Sequence, residues 1–319
     1  MASVREAGVS RAGTRELPGS VVTAGLAVGI VAVSSSPILV RAGHLPALAL
    51  AFWRCLAGAV VLAPFALGRG RPRVPLAPRE AGRLALAGAL LAVHFALFNA
   101  SLSFTTVASS AVLVSCSPLF VGLGARLAGE PPSRRAWLGI LVATAGAVVV
   151  GLGDAGTVRL GPRALLGDAM AFAGAAAIAG YLLIGRSVRQ RLPLATYAVS
   201  VYGTAAAVLL PACLLTGARL GGYRAGSWLV LAGVVVGPQL LGHTVFNGLL
   251  STVTASTVAV VILTEPVGAT LLAWALFDEV PTAWFWLGAP LVLAGVWLAA
   301  SRGGGPGGPP PGDPASRTG

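Results

Sequence analysis

Residues 98–150 recur in the second half of the chain, and this duplication constrains the fold more than any other feature of the sequence. The matched landmarks, at an offset of 148 or 149 residues, are Phe98-Asn99 with Phe246-Asn247, Pro118 with Pro266, Glu130 with Glu279, Trp137-Leu138-Gly139 with Trp286-Leu287-Gly288, and Gly146 with Gly295. Landmarks that recur at a near-constant offset indicate a duplicated structural unit. The sequence therefore predicts two similar halves.

The duplicated unit is strongly apolar, which places it in a membrane. The chain is 56% hydrophobic and 10% charged, with a mean hydropathy of +0.84, whereas about a quarter of the residues of a soluble domain are charged. Apolar runs of about 18 residues or more indicate membrane spans. The sequence predicts an all-α membrane protein built from two repeats, as many secondary transporters are.

Ten apolar runs are long enough to cross the hydrocarbon as helices of roughly 20 residues. The predicted spans are residues 19–40, 48–68, 84–102, 106–127, 136–152, 166–184, 195–215, 227–250, 253–277 and 283–300. The predicted division is an N-terminal arm (1–18), a first five-helix repeat (19–152), an outside linker (153–165), a second five-helix repeat (166–300) and a disordered Gly/Pro-rich tail (301–319).

Arginine supplies all of the positive charge, and its distribution predicts the orientation. With the N-terminus in the cytoplasm, 16 of the 22 arginines fall on the cytoplasmic side and 5 on the outside, so both termini are predicted to be cytoplasmic in the inner membrane. Five spans per repeat then make the repeats inverted. The +12 net charge does not indicate nucleic-acid binding, because the arginines lie in short loops and form no basic stripe.

Short motifs in both halves resemble the ten-helix EamA-type permeases of the drug/metabolite transporter superfamily. The motifs are Ser36-Pro37, Phe52-Trp53-Arg54, Ser117-Pro118-Leu119-Phe120, Gly129-Glu130-Pro131, Gly167-Asp168, Glu265-Pro266-Val267, Asp278-Glu279 and the two Trp-Leu-Gly repeats, over residues 20–300. The resemblance implies a central cavity lined by helices 1, 3, 4, 6, 8 and 9, and alternating-access movement of small metabolites, often outward. One departure is Ala179-Gly180-Tyr181, where such permeases often carry a tryptophan.

Glu265 is the strongest candidate for an ion- or substrate-binding residue. It lies near the middle of the ninth predicted span, where an ionisable group costs about 2.5–3.5 kcal/mol and usually faces a cavity or a partner. Because a carboxylate removed from water binds a proton more readily, one interpretation is proton coupling or cation binding. The other is a structural pair with Arg54, or capping of backbone groups near Pro266.

Arg54 is the one arginine well inside a predicted span. It could attract an anionic substrate group, but the sequence alone favours an extended side chain that reaches the membrane interface. Trp53 would then be an interfacial anchor.

The third and eighth spans carry related polar residues: His94 and Asn99 in one, Gln239, His243 and Asn247 in the other. They could bind substrate, although hydrogen bonds between helices explain most such residues, and we expect that role for the asparagines and for each histidine. Tyr181, with Tyr197 and Tyr202, could line a cavity, but tyrosines near span ends are more often interfacial. Pro118 and Pro266 are predicted to form paired kinks, and Glu130 and Glu279 to brace helix ends.

Two other classes of protein fit the sequence less well. Gly151-Leu152-Gly153-Asp154 resembles an intramembrane aspartyl protease motif, but the second aspartate would have to lie in an earlier span, and Asp154 is the first aspartate of the chain. A channel would show a ring of charges or a filter loop, and a scaffold would not need Glu265.

We therefore expect a carrier that exports amino acids or similar small metabolites, with proton coupling and without a cofactor or metal. Uptake and exchange remain open as alternatives. Its expected partners are a small-molecule substrate, protons and the lipid bilayer, with the protein as a monomer or homodimer.

Overall fold

The computed structural model describes residues 17–68, 75–101, 103–105, 107–153, 161–278 and 280–300, and in these residues the regular secondary structure is entirely helical. We number ten helical units α1–α10 in chain order. They are α1 (Gly19–Ser34 and Ser36–Gly43), α2 (Ala47–Leu67), α3 (Pro78–Ser101), α4 (Val107–Val114 and Ser117–Leu127), α5 (Arg134–Gly153), α6 (Pro162–Arg189), α7 (Leu194–Leu215), α8 (Ala225–Leu249), α9 (Ala255–Ile262 and Glu265–Phe277) and α10 (Ala283–Ala300).

Nine of these units are long and apolar enough to cross a membrane, counting only described residues. The remaining unit, α4, contributes the shorter apolar helix Val112–Leu127. The units follow the predicted spans closely, because an apolar run in lipid must satisfy its own backbone hydrogen bonds as a helix. Residues 1–16 of the N-terminal arm, most of the outside linker and the Gly/Pro-rich tail lie outside the described residues.

Three helices are kinked one residue before a Ser-Pro or Glu-Pro pair. The kinks fall at Ser35 in α1, Cys116 in α4 and Thr264 in α9. Proline lacks the N–H that would continue the helical ladder, and a neighbouring side chain bonds to a carbonyl of the preceding turn. Ser35 donates to Ala32 O at 2.7 Å, and Thr264 donates to Val261 O at 2.7 Å. Helices α4 and α9, for which paired kinks are predicted, are thus both interrupted beside the proline.

Helices α5 and α10, which are repeat mates, pack closely along a seam of glycines. A side chain placed on Gly139 would meet Gly295 and Ala299, and one on Gly146 would meet Gly288 and Val292, with backbone atoms 2.6 Å away in both cases. Later residues of α5 contact earlier residues of α10, so the two mates are antiparallel. That arrangement is expected of inverted repeats.

The buried core lies around α2, α3, α6, α7 and α8. Its largest fully buried side chains include Tyr181, Tyr197, Tyr202 and Phe246. The second mated pair, α2 and α7, packs in this core. Gly58 of α2 would place a Cβ 3.2 Å from both Tyr202 and Gln239, so glycine at this position lets α7 and α8 approach α2 closely.

Candidate functional site

Arg54 lies in the protein interior rather than at the membrane interface. Its side chain is 6% exposed, and its Nε donates to Oε1 of Gln239 at 2.7 Å. The guanidinium carbon stands 4.6 Å from the centre of the Phe95 ring, which is a cation–π contact. The expectation that Arg54 reaches the interface is therefore wrong, because a polar partner on α8 and an aromatic face on α3 hold it inside. Trp53 does pack against Trp228 near the end of α2.

Gln239 belongs to a wide π-helical segment of α8, Val235–Thr244. Pro238 within it has no N–H to donate, and the Thr244 hydroxyl donates to the Gln239 carbonyl at 2.9 Å, five residues back. A π segment inside an α-helix is frequent at functional sites. Here it directs the fully buried Gln239 side chain toward Arg54.

Arg54 and Gln239 together leave two buried donors without an acceptor. Arg54 Nη2 and Gln239 Nε2 have no hydrogen-bond partner among the described residues. A buried polar group left unsatisfied costs about 1–3 kcal/mol, and a charged one costs more. One hydrogen bond joins the two residues, but it does not satisfy all of their buried donors.

A second polar network adjoins this pair, and each of its four side chains, those of Tyr181, Asn247, Tyr202 and Thr244, is hydrogen bonded. The Tyr181 hydroxyl donates to Asn247 Oδ1 at 2.6 Å, and Asn247 Nδ2 donates to the Tyr202 oxygen at 3.2 Å. Tyr202 is also 3.0 Å from the Thr244 hydroxyl. These tyrosines are buried in the core, so the expectation of an interfacial role for Tyr181, Tyr197 and Tyr202 is wrong. The network joins α6, α7 and α8.

Glu265 starts the second half of α9, immediately after the kink, and is half-buried. Its carboxylate accepts no hydrogen bond and forms no ion pair within 4 Å in the part of the chain that the structure describes. Glu265 and Arg54 therefore do not form the structural ion pair that the sequence left open, and Glu265 has no described group that fixes its charge state.

The π segment of α8 and the kinks of α1 and α9 lie side by side. A side chain on Gly268 of α9 would collide with the Ser34 hydroxyl, and one on Gly237 of α8 would stand 3.4 Å from the Ser35 hydroxyl. Glu265 and Gln239 thus lie on irregular stretches of helix that contact α1 from two sides. Pro118, in contrast, stands at the kink of α4, which packs on α6.

The remaining candidates fall into two groups. His94 bonds through Nδ1 to Gly174 O at 2.9 Å and stacks on Phe98, and Asn99 donates to Ala47 O at 3.1 Å. Both have the interhelical role that was expected. The half-buried His243 contacts the Phe95 ring edge-on at 6.1 Å between centroids, and so lies next to the aromatic ring that supports Arg54.

Two arginines of α6 have structural roles that the sequence did not indicate. Arg189 is buried and donates from Nε to Asn247 O at 2.9 Å, and also to Leu192 O. Arg186 donates from Nη1 to Leu250 O at 2.9 Å and pairs with Glu130 at 3.1 Å. They cap carbonyls at the end of α8. Basic residues near the C-terminus of a helix often bond to the last carbonyls of that helix, but a bond to the end of another helix has no signal in the sequence. Glu130 braces α6 as expected, whereas Glu279 lies outside the described residues.

Comparison with known proteins identifies the class. The EamA-like transporter family matches residues 20–152 and 165–301, which are two copies covering most of the chain. The chain belongs to this family, and it is a multi-pass membrane transporter of the drug/metabolite transporter superfamily. The resemblance noted in the sequence is confirmed.

Relatives of this chain are themselves described only as transporters. An uncharacterized transporter of Archaeoglobus fulgidus is 22% identical over 69% of this chain and 75% of its own length. The uncharacterized transporter YwfM of Bacillus subtilis is 25% identical over 68% of this chain and 72% of its own. A crystal structure 21% identical in sequence superposes with a TM-score of 0.76 over 88% of this chain and 96% of that chain, which shows a shared fold.

Proposed function

We propose that this protein is a secondary transporter that exports small metabolites, of the size of amino acids, across the inner membrane in exchange for protons. Its ten helices would form two inverted five-helix repeats with both termini in the cytoplasm. The antiparallel contact between the mates α5 and α10 supports the inversion, and the arginine distribution supports the orientation.

One observation carries the proposed coupling: Glu265 lies inside the membrane-spanning part of α9, beside a kink and without a bonded partner in the described ranges. A carboxylate of this kind is rare in a span and usually serves an ion or substrate path. Because no described group binds it, a proton or a positively charged substrate group can occupy it in turn.

The proposed cycle follows from that competition. When the site faces outward, a proton binds Glu265 and substrate leaves. When the site then faces inward, the proton is released to the cytoplasm and substrate binds in its place. The kinks of α1 and α9 and the π segment of α8 would be the points where the helices bend between the two states. A proton thus moves inward for each substrate that moves outward.

Metabolite profiling of the growth medium tests this proposal. Cells that express the intact protein are compared with cells that express equal amounts of Glu265→Gln, a change that keeps the size of the side chain but removes its charge. We expect one or more small metabolites to accumulate outside only with the intact protein. Equal accumulation with both proteins would overturn the role of Glu265. No accumulation with a folded protein would overturn export, and flux into proteoliposomes would then test uptake.

A further inference from the structure

The pair formed by Arg54 and Gln239 leaves two buried N–H donors without an acceptor among the described residues. Arg54 Nε already donates to Gln239 Oε1 at 2.7 Å, which fixes the two side chains relative to each other. Arg54 Nη2 and Gln239 Nε2 then remain, both buried and both without a partner among the described residues. The Phe95 ring lies against the guanidinium, so the plane of that group is held as well.

An acceptor that carries negative charge would satisfy both donors and also balance the charge of the guanidinium. A buried guanidinium without a counter-ion is unfavourable, and Glu265 makes no ion pair with it within 4 Å. The nearby Asn247 and Thr244 are already bonded to Tyr181, Tyr202 and the Gln239 carbonyl. The protein groups described around Arg54 therefore do not satisfy it.

We infer that Arg54 and Gln239 bind a carboxylate group of the transported molecule, an assignment that rests on the transport function proposed above. The two donors match the two oxygens of one carboxylate, and arginine favours such paired geometry. A phosphate dianion fits less well, because it would bring two negative charges to a single guanidinium and a single amide donor. The substrate class is thus small monocarboxylates, including amino acids.

Proteoliposomes loaded with a defined mixture test the assignment. The mixture holds amino acids, the matching amino-acid amides, other monocarboxylates, amines, sugars, nucleosides and sugar phosphates, and mass spectrometry identifies the compounds that the intact protein moves. We expect every transported compound to carry a free carboxylate, and we expect conversion of that group to its amide to lower the apparent affinity about 10- to 100-fold.

Three variants test whether the substrate carboxylate binds to these two residues. Arg54→Gln removes the charge. Gln239→Met keeps the length of the side chain but removes both the free amide donor and the oxygen that accepts from Arg54 Nε. Both should weaken binding of the carboxylate substrate about tenfold or more, yet leave the weak binding of its amide unchanged. Gln239→Glu supplies an internal carboxylate to Arg54, so it should block the substrate while it maintains or raises the melting temperature. Arg83→Gln, which removes an exposed arginine of α3, is the control for loss of charge and should transport normally.

The outcomes separate this inference from the proposal on which it rests. If the folded intact protein moves no compound of the mixture, both are overturned. If it moves compounds that lack a carboxylate, or if Arg54→Gln lowers the affinity for acid and amide alike, only the carboxylate site is overturned. Movement of sugar phosphates alone would replace the carboxylate with a phosphate at the same two donors and would equally overturn the assignment.

Discussion

The two repeats share one scaffold but differ in the polar residues at its centre. The positions related by 148 residues pair Leu91 with Gln239, Phe95 with His243, Asn99 with Asn247 and Ser117 with Glu265. The helices that carry them keep the same order, and the kinks at Pro118 and Pro266 are shared. In the first repeat three of the four positions are apolar or a small hydroxyl, and in the second repeat all four are polar and two of them are titratable.

The positions that the two repeats share serve helix packing, whereas the polar groups at the centre occur mainly in the second repeat. The mates Phe95 and His243 are in edge contact, so equivalent faces of the two repeats meet at the centre. The first repeat contributes Arg54 and its aromatic support, and the second contributes the groups around it. Substitutions at the closely packed glycines and the buried Asn247, where the repeats agree, should lower stability, and substitutions at Gln239 and Glu265, where they differ, should lower transport.

The largest expected effect is at the glycine seam, where the repeats agree. Gly146→Ala would place a methyl group 2.6 Å from the Val292 nitrogen, and Gly295→Ala would press on Ala143. Because backbone atoms cannot move aside cheaply, we expect each change to cost about 1–3 kcal/mol or more and to lower the yield of monodisperse protein. Fluorescence-detected size-exclusion chromatography with a temperature ramp would measure this.

Gly203→Ala is the matched control for the seam, because a Cβ there meets no atom within 4 Å. It should leave the melting temperature unchanged or raise it slightly. An equal loss of stability at Gly203 and Gly146 would contradict the close approach of α5 and α10.

The mates Asn247 and Asn99 should differ in their contribution to stability. Asn247→Leu removes the acceptor of the buried Tyr181 hydroxyl, at about 1–3 kcal/mol for an unsatisfied group. It also removes one of the two hydrogen bonds of Tyr202, which keeps its bond to Thr244. Asn99→Leu removes one bond to Ala47 O, worth about 0.6 kcal/mol for a typical interhelical bond. Thermal unfolding followed by tryptophan fluorescence would compare the two variants. Equal decreases in melting temperature would mean that the buried network stabilises the protein no more than a single interhelical bond does.

Replacing Pro266 tests whether transport needs the kink of α9. Pro266→Ala supplies a backbone N–H at the kink of α9 and should straighten the helix, slowing transport several-fold in proteoliposomes while the protein stays folded. Pro64→Ala, within α2, is the control and should transport at nearly the normal rate. A normal rate for Pro266→Ala would show that the kink is not needed for movement.

The smallest expected effect concerns the brace between α4 and α6. Glu130→Gln removes a partly exposed ion pair with Arg186, and such pairs contribute about 0–1 kcal/mol. We expect a melting temperature close to that of the intact protein and unchanged transport selectivity. A large loss of transport would instead make this pair part of the gating machinery.

The sequence predicted the helices well because their signal is local. Long apolar runs in lipid have essentially one solution, and Pro118 and Pro266 marked two of the kinks directly. The repeat offset also identified Gly146 and Gly295, although their place in a common seam needed the structure.

The centre of the site was less predictable because its signal is not local. Arg54 is held by Gln239, 185 residues later in the chain, and position along a span alone favoured the interface. Tyr181 and Tyr202 likewise lie in the interior, where both form hydrogen bonds with Asn247. The face that a side chain presents depends on helix packing, which a single sequence does not display.

Substrate-driven proton movement tests most directly whether Glu265 exchanges a proton for substrate. Proteoliposomes with a pH-sensitive dye inside would hold the intact protein, Glu265→Gln or Glu80→Gln, the last being a carboxylate of α3 paired with Arg191. With a transported substrate added, the account predicts proton movement opposite to substrate for the intact protein and Glu80→Gln, and none for Glu265→Gln. Undiminished proton movement in Glu265→Gln would contradict it.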